Sequence, residues 1–286
     1  MSLYNETKFI MKKYNISANK SLGQNFLIDD EAVSTIVDTA KVTKDDLIIE
    51  IGPGLGTLTS KLLEKTGKVI AIELDKKMVL VLEDRFSLYD NFECINEDVL
   101  KVDLESLISE EKSKGLKTAK IVANLPYYIT TPIIMKLLEE KLDIETITVM
   151  IQKEVADRLV AEPGKANTGA ITYAINYYTN PKVVLQVPNT AFIPAPDVNS
   201  TVIQLEVLQK SKIDVIDEEM FFKVIKYAFM QRRKTLLNSL TNSKILGEKE
   251  YIEKMLSELG IEKTIRAENL SLEEFAKIAN WIKTKS

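Results

Sequence analysis

The chain has 286 residues, of which 45% are hydrophobic and 28% charged, and a net charge of −4, which is typical of a globular protein with a real core. It contains no histidine, which excludes His-dependent nucleophile pairs and most zinc sites, so no metal site is predicted. A single cysteine, Cys94, excludes an internal disulfide, and no stretch has the length of a signal peptide or a membrane span, so we expect a cytoplasmic protein that does not contact membranes.

Short apolar runs that alternate with helical patterns predict an α/β fold. A helix over residues 32–40 is expected after Asp29 and Asp30, which can cap it, and another near Thr131-Pro132. The predicted strands are Leu47–Ile51, Lys68–Glu73, Phe92–Asn96, Lys120–Asn124, Glu145–Ile151, Lys182–Val187 and Thr201–Val207. Helix-sized segments separate the first five, which predicts a parallel sheet. The last two, joined by a proline-rich loop, predict an antiparallel hairpin at its edge.

A glycine-rich turn, Glu50-Ile51-Gly52-Pro53-Gly54-Leu55-Gly56, follows the first predicted strand. Glycines at such a turn let the backbone approach a ligand closely. The spacing is G-x-G-x-G, whereas the dinucleotide fingerprint requires G-x-G-x-x-G and this chain has Thr57 at its last position. The spacing favours a nucleoside without a pyrophosphate, although a dinucleotide or simple packing is not excluded by the turn alone.

Two acids follow the next two predicted strands. Glu73 stands 21 residues after Gly52 and can accept hydrogen bonds from vicinal ribose hydroxyls; the alternative is a carboxylate at the start of the following helix. Asp98 can accept from an adenine amino group; the alternative is a solvated turn acid. Because ligands bind at the carboxyl ends of parallel strands, both positions indicate a nucleoside site.

The segment Asn124-Leu125-Pro126-Tyr127 closes the fourth predicted strand and is the most specific motif in the chain. An adenine amine is a poor nucleophile, because its lone pair is delocalised into the ring. Hydrogen bonds from its N–H groups to the Asn124 side-chain oxygen and the Leu125 carbonyl localise and aim that lone pair. Tyr127 can stack on the base. The motif predicts methylation of an aryl or amide nitrogen.

The C-terminal part has helical periods from Asp217 onward, which predicts a small all-helical domain. We therefore divide the chain into a catalytic domain, residues 1–209, and a helical domain, residues 210–286. Residues 221–246 carry six basic residues and no acid, residues 1–20 carry a local +3, and the remainder carries −13. Such segregation is typical of a basic binding face on an acidic body, although each segment alone is also compatible with solvated helix faces.

Seven motifs in order resemble the small-subunit ribosomal RNA adenine dimethyltransferases over nearly the whole chain. They are Ser21-Leu22-Gly23-Gln24-Asn25-Phe26-Leu27, the Gly52 turn, Ile72-Glu73-Leu74-Asp75, Asn124-Leu125-Pro126-Tyr127, Gln152-Lys153-Glu154-Val155-Ala156-Asp157-Arg158-Leu159, Ala191-Phe192-Ile193-Pro194-Ala195-Pro196 and Gln231-Arg232-Arg233-Lys234-Thr235-Leu236. The resemblance implies a seven-stranded, Rossmann-like class I methyltransferase sheet with a small helical C-terminal domain.

The resemblance also implies the cofactor, the substrate and the roles of individual residues. S-adenosylmethionine is expected to contact Asn25, Leu27, Gly52, Glu73, Asp98 and Asn124. The target adenine is expected between Asn124, Leu125 and Tyr127 on one side and Phe192 on the other. We expect Arg232, Arg233 and Lys234 to bind RNA. The family transfers two methyl groups to each of two adjacent adenines in a hairpin loop near the 3′ end of 16S ribosomal RNA, within an immature small subunit; we expect a monomer.

One departure and three alternatives remain. Thr168 stands where the family often has an aromatic residue, which puts an RNA contact there in doubt. A related group modifies large-subunit RNA and confers macrolide resistance, but it favours Ile before the proline of the motif and lacks the basic run. A binding protein on a methyltransferase scaffold would have an altered glycine turn or no Asn124. A nicotinamide-dependent dehydrogenase would bind NAD.

Overall fold

The computed structural model describes residues 2–19, 22–165, 167–231, 233–244 and 246–285. The chain folds as two compact units, Met1–Ala156 with Pro181–Val207, and Asp157–Asn180 with Leu208–Ser286. The predicted division at residue 209 lies close to the second of these boundaries but assigns residues 157–180 to the other part of the chain. These residues belong with the C-terminal helices because Tyr173 and Tyr177 are buried in the same hydrophobic core as those helices.

A seven-stranded sheet forms the centre of the first unit, as predicted. Its strands are β2 (Asp46–Ile51), β3 (Lys68–Ile72), β4 (Phe92–Ile95), β5 (Thr118–Asn124), β6 (Thr146–Gln152), β7 (Thr179–Val187) and β9 (Ser200–Val207). The order across the sheet is β4-β3-β2-β5-β6-β9-β7. The first five strands are parallel, and β9 runs antiparallel to β6. The parallel core places five strand ends at one edge of the sheet.

A second, two-stranded sheet was not predicted. Strand β1 (Phe26–Leu27) pairs antiparallel with β8 (Phe192–Ile193), so that Leu27 lies opposite Phe192. Strand β8 lies in the connection between β7 and β9, which are neighbours at the sheet edge as predicted but are not joined by a simple hairpin loop. The pairing fixes the segment before α2 against the segment before β9.

Helices cover the sheet of the first unit. They are α1 (Leu3–Lys13), α2 (Asp30–Thr39), α3 (Thr57–Lys65), α4 (Lys76–Phe86), α5 (Leu104–Ser113), α6 (Thr130–Glu139) and α7 (Lys153–Leu159), the last of which continues into the second unit. Asp29 caps α2 by accepting the N–H groups of Glu31 and Ala32. Helix α6 begins at Thr130, near the predicted start, and Pro132 is its third residue. The N–H groups of the first turn have no intrahelical partner, so proline is tolerated there.

The second unit is helical, as predicted, with a core of aromatic and aliphatic side chains. Its helices are α8 (Ala170–Tyr178), α9 (Glu218–Phe229), α10 (Leu236–Asn242), α11 (Lys249–Glu258) and α12 (Leu272–Lys285). The rings of Tyr173 and Phe275 meet edge to face at 4.9 Å. Trp281 packs against Tyr251 and donates to Glu258. Thr168 is fully buried in this unit.

Within the described parts of the chain, none of these helices combines the length and the apolar character needed to span a bilayer.

Candidate active site

A cleft lies at the carboxyl edge of the sheet in the first unit, and holds about 1050 Å³ of atom-free space, part of which is open to solvent. Eight of the predicted site residues line it: Asn25, Leu27, Gly52, Glu73, Asp98, Asn124, Leu125 and Tyr127. They come from positions far apart in sequence because parallel strands end at a common edge. The strand order places Asp98 after β4, Glu73 after β3, Gly52 after β2 and Asn124 at the end of β5, in a row along that edge.

The glycine turn shapes the floor of the cleft. Gly52 has a φ of 66°, and its N–H donates to the Ile72 carbonyl at 2.9 Å, which ties the turn to β3. A Cβ at Gly56, whose φ is 81°, would lie 2.6 Å from the Phe86 ring. Glycine is therefore required at position 56 by the packing of α3 against α4, while at position 52 it keeps backbone exposed to the cleft.

Glu73 is a nearly buried carboxyl group, 7% exposed, beside this turn. Its Oε2 accepts the N–H of Gly54 at 3.1 Å, and its Oε1 accepts the N–H of Asp75 at 2.8 Å. Burial raises its pKa above the ordinary value for glutamate. Asp75, not Glu73, caps α4. Each oxygen of Glu73 keeps a second acceptor site, so the carboxyl group can take two further hydrogen bonds.

The Asn124 motif presents two acceptor oxygens at the other side of the cleft. The Asn124 Nδ2 donates to the Asn25 carbonyl at 3.4 Å, which turns the side-chain oxygen away from that partner. The Leu125 N–H donates to the Met150 carbonyl oxygen at 3.1 Å. The Leu125 carbonyl oxygen accepts no hydrogen bond from the described residues. The Tyr127 hydroxyl is hydrogen-bonded to Ser200 Oγ at 2.7 Å, which fixes its ring.

Asp98 is placed at the cleft, whereas Phe192 is not. Asp98 is half-buried, lines the cleft and accepts the N–H of Leu100 at 3.0 Å, so it forms the turn proposed as its alternative role and still faces the cleft. Phe192 is 3% exposed, and packs in the hydrophobic core with Leu27. Its contact with a substrate base stays a prediction.

The predicted RNA-binding residues lie in the second unit. Arg233 and Lys234 are exposed in the turn between α9 and α10, and neither forms an ion pair with any residue that the structure describes. Arg232 lies outside the described residues.

Sequence reasoning assigned no role to Glu50 and Tyr128, which also line the cleft. Glu50 is 1% exposed and accepts the Thr59 hydroxyl at 2.6 Å. Burial, together with the charge of Glu73, raises the pKa of Glu50 to about 8. The signal for Glu50 in the sequence was a carboxyl residue inside an apolar predicted strand. The signal for Tyr128 was an aromatic residue directly after the Asn124 motif.

The acidic and basic residues described as lining the cleft are all acids. Four acids line it, Glu50, Glu73, Glu97 and Asp98, and none of the residues described as lining it is Lys or Arg. Such a cleft favours a cationic ligand rich in hydrogen-bond donors, and it disfavours a pyrophosphate. Groups of three or more residues able to hold a metal ion are absent from the described ranges.

Comparisons with known proteins agree with this geometry. The family model "Ribosomal RNA adenine dimethylase" matches residues 15–284. The chain is 49% identical to Ribosomal RNA small subunit methyltransferase A of Alkaliphilus oremlandii, over 98% of this chain and 97% of that protein. It is 48% identical to the protein of the same name from Clostridioides difficile, over 100% of this chain and 98% of that one.

Solved structures give the same result for the fold. A dimethyladenosine transferase from Plasmodium falciparum superposes with a TM-score of 0.77 at 25% identity, over 91% of this chain and 98% of that one. The 23S rRNA methyltransferase ErmE has a TM-score of 0.68 at 22% identity, over 91% of this chain and 100% of its own, and supports the fold alone. The sequence match over almost the full length shows that the chain belongs to the ribosomal RNA adenine dimethylase family.

Proposed function

We propose that this enzyme dimethylates the exocyclic amines of two adjacent adenosines in the 3′-terminal hairpin loop of 16S ribosomal RNA, in an immature small subunit. The relatives at 48–49% identity, named for the small subunit, support this choice over large-subunit RNA. S-adenosylmethionine is the cofactor, and supplies a methyl group activated on a positively charged sulfur. We further propose that the enzyme acts as a cytoplasmic monomer.

The cleft has the groups that this cofactor requires. Glu73 offers two acceptor sites for vicinal ribose hydroxyls, and Asp98 can accept from the adenine amino group. Gly52 leaves its backbone open to the methionine part, beside Asn25 and Leu27. These acids have no basic partner in the described part of the chain, which suits the cationic cofactor and argues against NAD, whose pyrophosphate is anionic.

The observation that carries the proposal is the pair of acceptors at the end of β5. The Asn124 side-chain oxygen and the Leu125 carbonyl oxygen can each accept one N–H of an adenine amine, which localises the nitrogen lone pair and aims it into the cleft. Bound S-adenosylmethionine would supply the methyl group, whose bond to sulfur breaks as its bond to the amine nitrogen forms, leaving S-adenosylhomocysteine. The proton lost by the nitrogen would pass to water, so that no histidine is needed. Tyr127, its hydroxyl bonded to Ser200, can stack on the base.

RNA binding is assigned to the basic turn of the second unit. Arg233 and Lys234 are exposed without ion-pair partners among the described residues, as phosphate-contacting side chains are before they bind RNA. We include Arg232 on the sequence alone. The bases of a hairpin loop are already partly unstacked, which lowers the cost of moving a target adenine into a cleft.

Methyl transfer from labelled S-adenosylmethionine to purified subunits tests the proposal. Small subunits and large subunits from cells that lack this protein are offered separately, and primer extension locates dimethylated adenines, which stop the extending enzyme. We expect label on 16S RNA and a stop at the pair of adjacent adenines near its 3′ end. Label on large-subunit RNA only, or binding of NAD in place of the cofactor, contradicts the proposal.

A further inference from the structure

Tyr128 stands at the mouth of the cleft without a role in the acceptor site described above. Its side chain is 56% exposed and lines the cleft. No hydrogen bond to its hydroxyl is found among the described residues, so the ring rather than the hydroxyl is what this residue presents. Single exposed aromatic residues are common at protein surfaces. What distinguishes this one is the direction in which the ring lies.

The ring of Tyr128 packs on the segment that precedes β1. A Cβ at Gly23, whose φ is 62°, would lie 3.4 Å from Tyr128 Cδ1. The next residue, Gln24, donates from its side chain to Asp75 at 2.8 Å, and the Asp75 N–H donates to Glu73 at 2.8 Å. Residues 22–25, the cleft loop, are therefore anchored near the end of β3, two strands from the β5 end that carries Tyr128.

Adjacent tyrosines thus extend in opposite directions along the sheet edge. Tyr127 is hydrogen-bonded to Ser200 on β9, beyond β6. Tyr128 lies against the cleft loop, on the side of β3 and β4. Burial, followed by the charges of Asp98 and Glu73, raises the pKa of Tyr128, which agrees with a neutral ring on the side of these two carboxyl groups.

We propose that Tyr128 is a cofactor-binding residue whose ring, together with the cleft loop, covers the nucleoside part of bound S-adenosylmethionine. This rests on the proposed cofactor site at Glu73 and Asp98 and adds a residue to it. The two tyrosines then divide the site, Tyr127 serving the acceptor base and Tyr128 the cofactor. Aromatic faces suit this task because they stack on a base or ribose without requiring a specific hydrogen bond.

Calorimetric binding of two ligands to the whole protein tests the proposal. S-adenosylhomocysteine carries the nucleoside and the amino acid, whereas 5′-methylthioadenosine carries the nucleoside alone. We expect Tyr128→Ala to weaken both by about tenfold, the effect of losing one stacked ring. Tyr128→Phe is expected to stay within about twofold of the wild type, since an unpaired hydroxyl adds little. Tyr89→Ala removes a comparably exposed tyrosine outside the cleft lining and serves as the control.

Each outcome separates this proposal from the one it rests on. Unchanged affinity of Tyr128→Ala for both ligands overturns it, as does a loss confined to S-adenosylhomocysteine, which would place the ring over the amino acid. A raised KM for RNA with unchanged ligand affinity would assign Tyr128 to the substrate. Failure of the wild type to bind either ligand contradicts the cofactor site itself. Tyr128→Asn, with the thermal unfolding of each ligand-free variant, covers the case in which Tyr128→Ala fails to fold.

Discussion

Buried ionisable side chains have different partners at the amino edge and at the carboxyl edge of the central sheet. At the amino edge, Lys120 and Asp46 are 5% and 3% exposed and form an ion pair of 2.9 Å. Lys120 also donates to the Lys41 carbonyl at 2.9 Å, and Asp46 accepts hydrogen bonds from Thr43 and Thr118. Burial acts to raise the pKa of Asp46, but these hydrogen bonds outweigh it and hold the pKa below its usual value. The buried charges at this edge are therefore paired within the protein.

At the carboxyl edge, the buried acids form no ion pair with a described lysine. Glu50 and Glu73 are as well buried as Asp46, yet neither has a basic partner among the described residues, and burial raises the pKa of both. A buried acid without a basic partner lowers the stability of the protein. A ligand that supplies hydrogen-bond donors offsets this loss when it binds. At one edge the buried acid is thus paired within the fold, and at the other we propose that the buried carboxyl groups serve binding.

The largest expected effect is loss of stability at the amino edge. We expect Lys120→Met to lower the free energy of unfolding by about 3–5 kcal/mol, because it leaves Asp46 buried without its partner. Urea unfolding followed by circular dichroism measures this. Lys117→Met is the control, since the Lys117–Asp45 pair at the same edge is exposed and is expected to contribute under about 1 kcal/mol. Equal losses of unfolding free energy in the two variants would contradict a special contribution of the buried Lys120–Asp46 pair.

At the carboxyl edge, Asn124→Ala is expected to lower kcat by roughly 10²–10³-fold, as removal of one positioned hydrogen-bonding group does. Its unfolding free energy should change little, because the hydrogen bond from the Asn124 side chain to the Asn25 carbonyl is long at 3.4 Å. Methyl transfer to small subunits and urea unfolding, measured on the same preparation, check both statements. Intact methyl transfer would show that the catalytic assignment of Asn124 is wrong.

Glu73→Gln tests the binding role of the carboxyl edge through the affinity for S-adenosylhomocysteine. The substitution keeps the size of the side chain but removes its charge and one acceptor, and we expect the Kd for S-adenosylhomocysteine to rise about 10–100-fold. Glu93→Gln is the matched control, because Glu93 lies on β4 and pairs with Lys68 at 2.7 Å. Calorimetry on both variants decides the matter, and similar affinities for the two would contradict a direct role of Glu73.

The last prediction concerns Glu50 and the pH dependence of stability. Its pKa is about 8 in the fold and about 4.5 when unfolded, so its contribution to stability is complete below pH 4.5 and declines as pH rises to about 8. Glu50→Gln cannot ionise, and its unfolding free energy should therefore fall less than that of the wild type across this range. Urea unfolding of the ligand-free proteins at several pH values measures the two slopes, and parallel slopes would contradict the shifted pKa.

The sequence was most informative where local pattern determines structure. Runs of Val and Ile between turns placed all seven main strands within three residues, and the Asn124 motif lies at the strand end where it was predicted. Helix α1 was missed because only its charge was considered, although Leu3, Thr7 and Ile10 are buried along one face.

The remaining differences depend on contacts between distant parts of the chain. The pairing of Leu27 with Phe192 joins segments 165 residues apart, and no local pattern in either segment indicates it. The same pairing accompanies the burial of the Phe192 ring in the core. Likewise, Tyr173 and Tyr177 belong to the second core only because α8 packs against α9 and α12.

The two acceptors at Asn124 and Leu125 also bear on how the reaction ends. An unmodified adenine amine offers both of them a hydrogen, a monomethylated amine offers one, and a dimethylated amine offers none. With the final product in place, both oxygens lose their partners, which costs about 1–3 kcal/mol for each if water cannot enter. In the proposed site, the two oxygens that aim the substrate would therefore also favour release of the finished base.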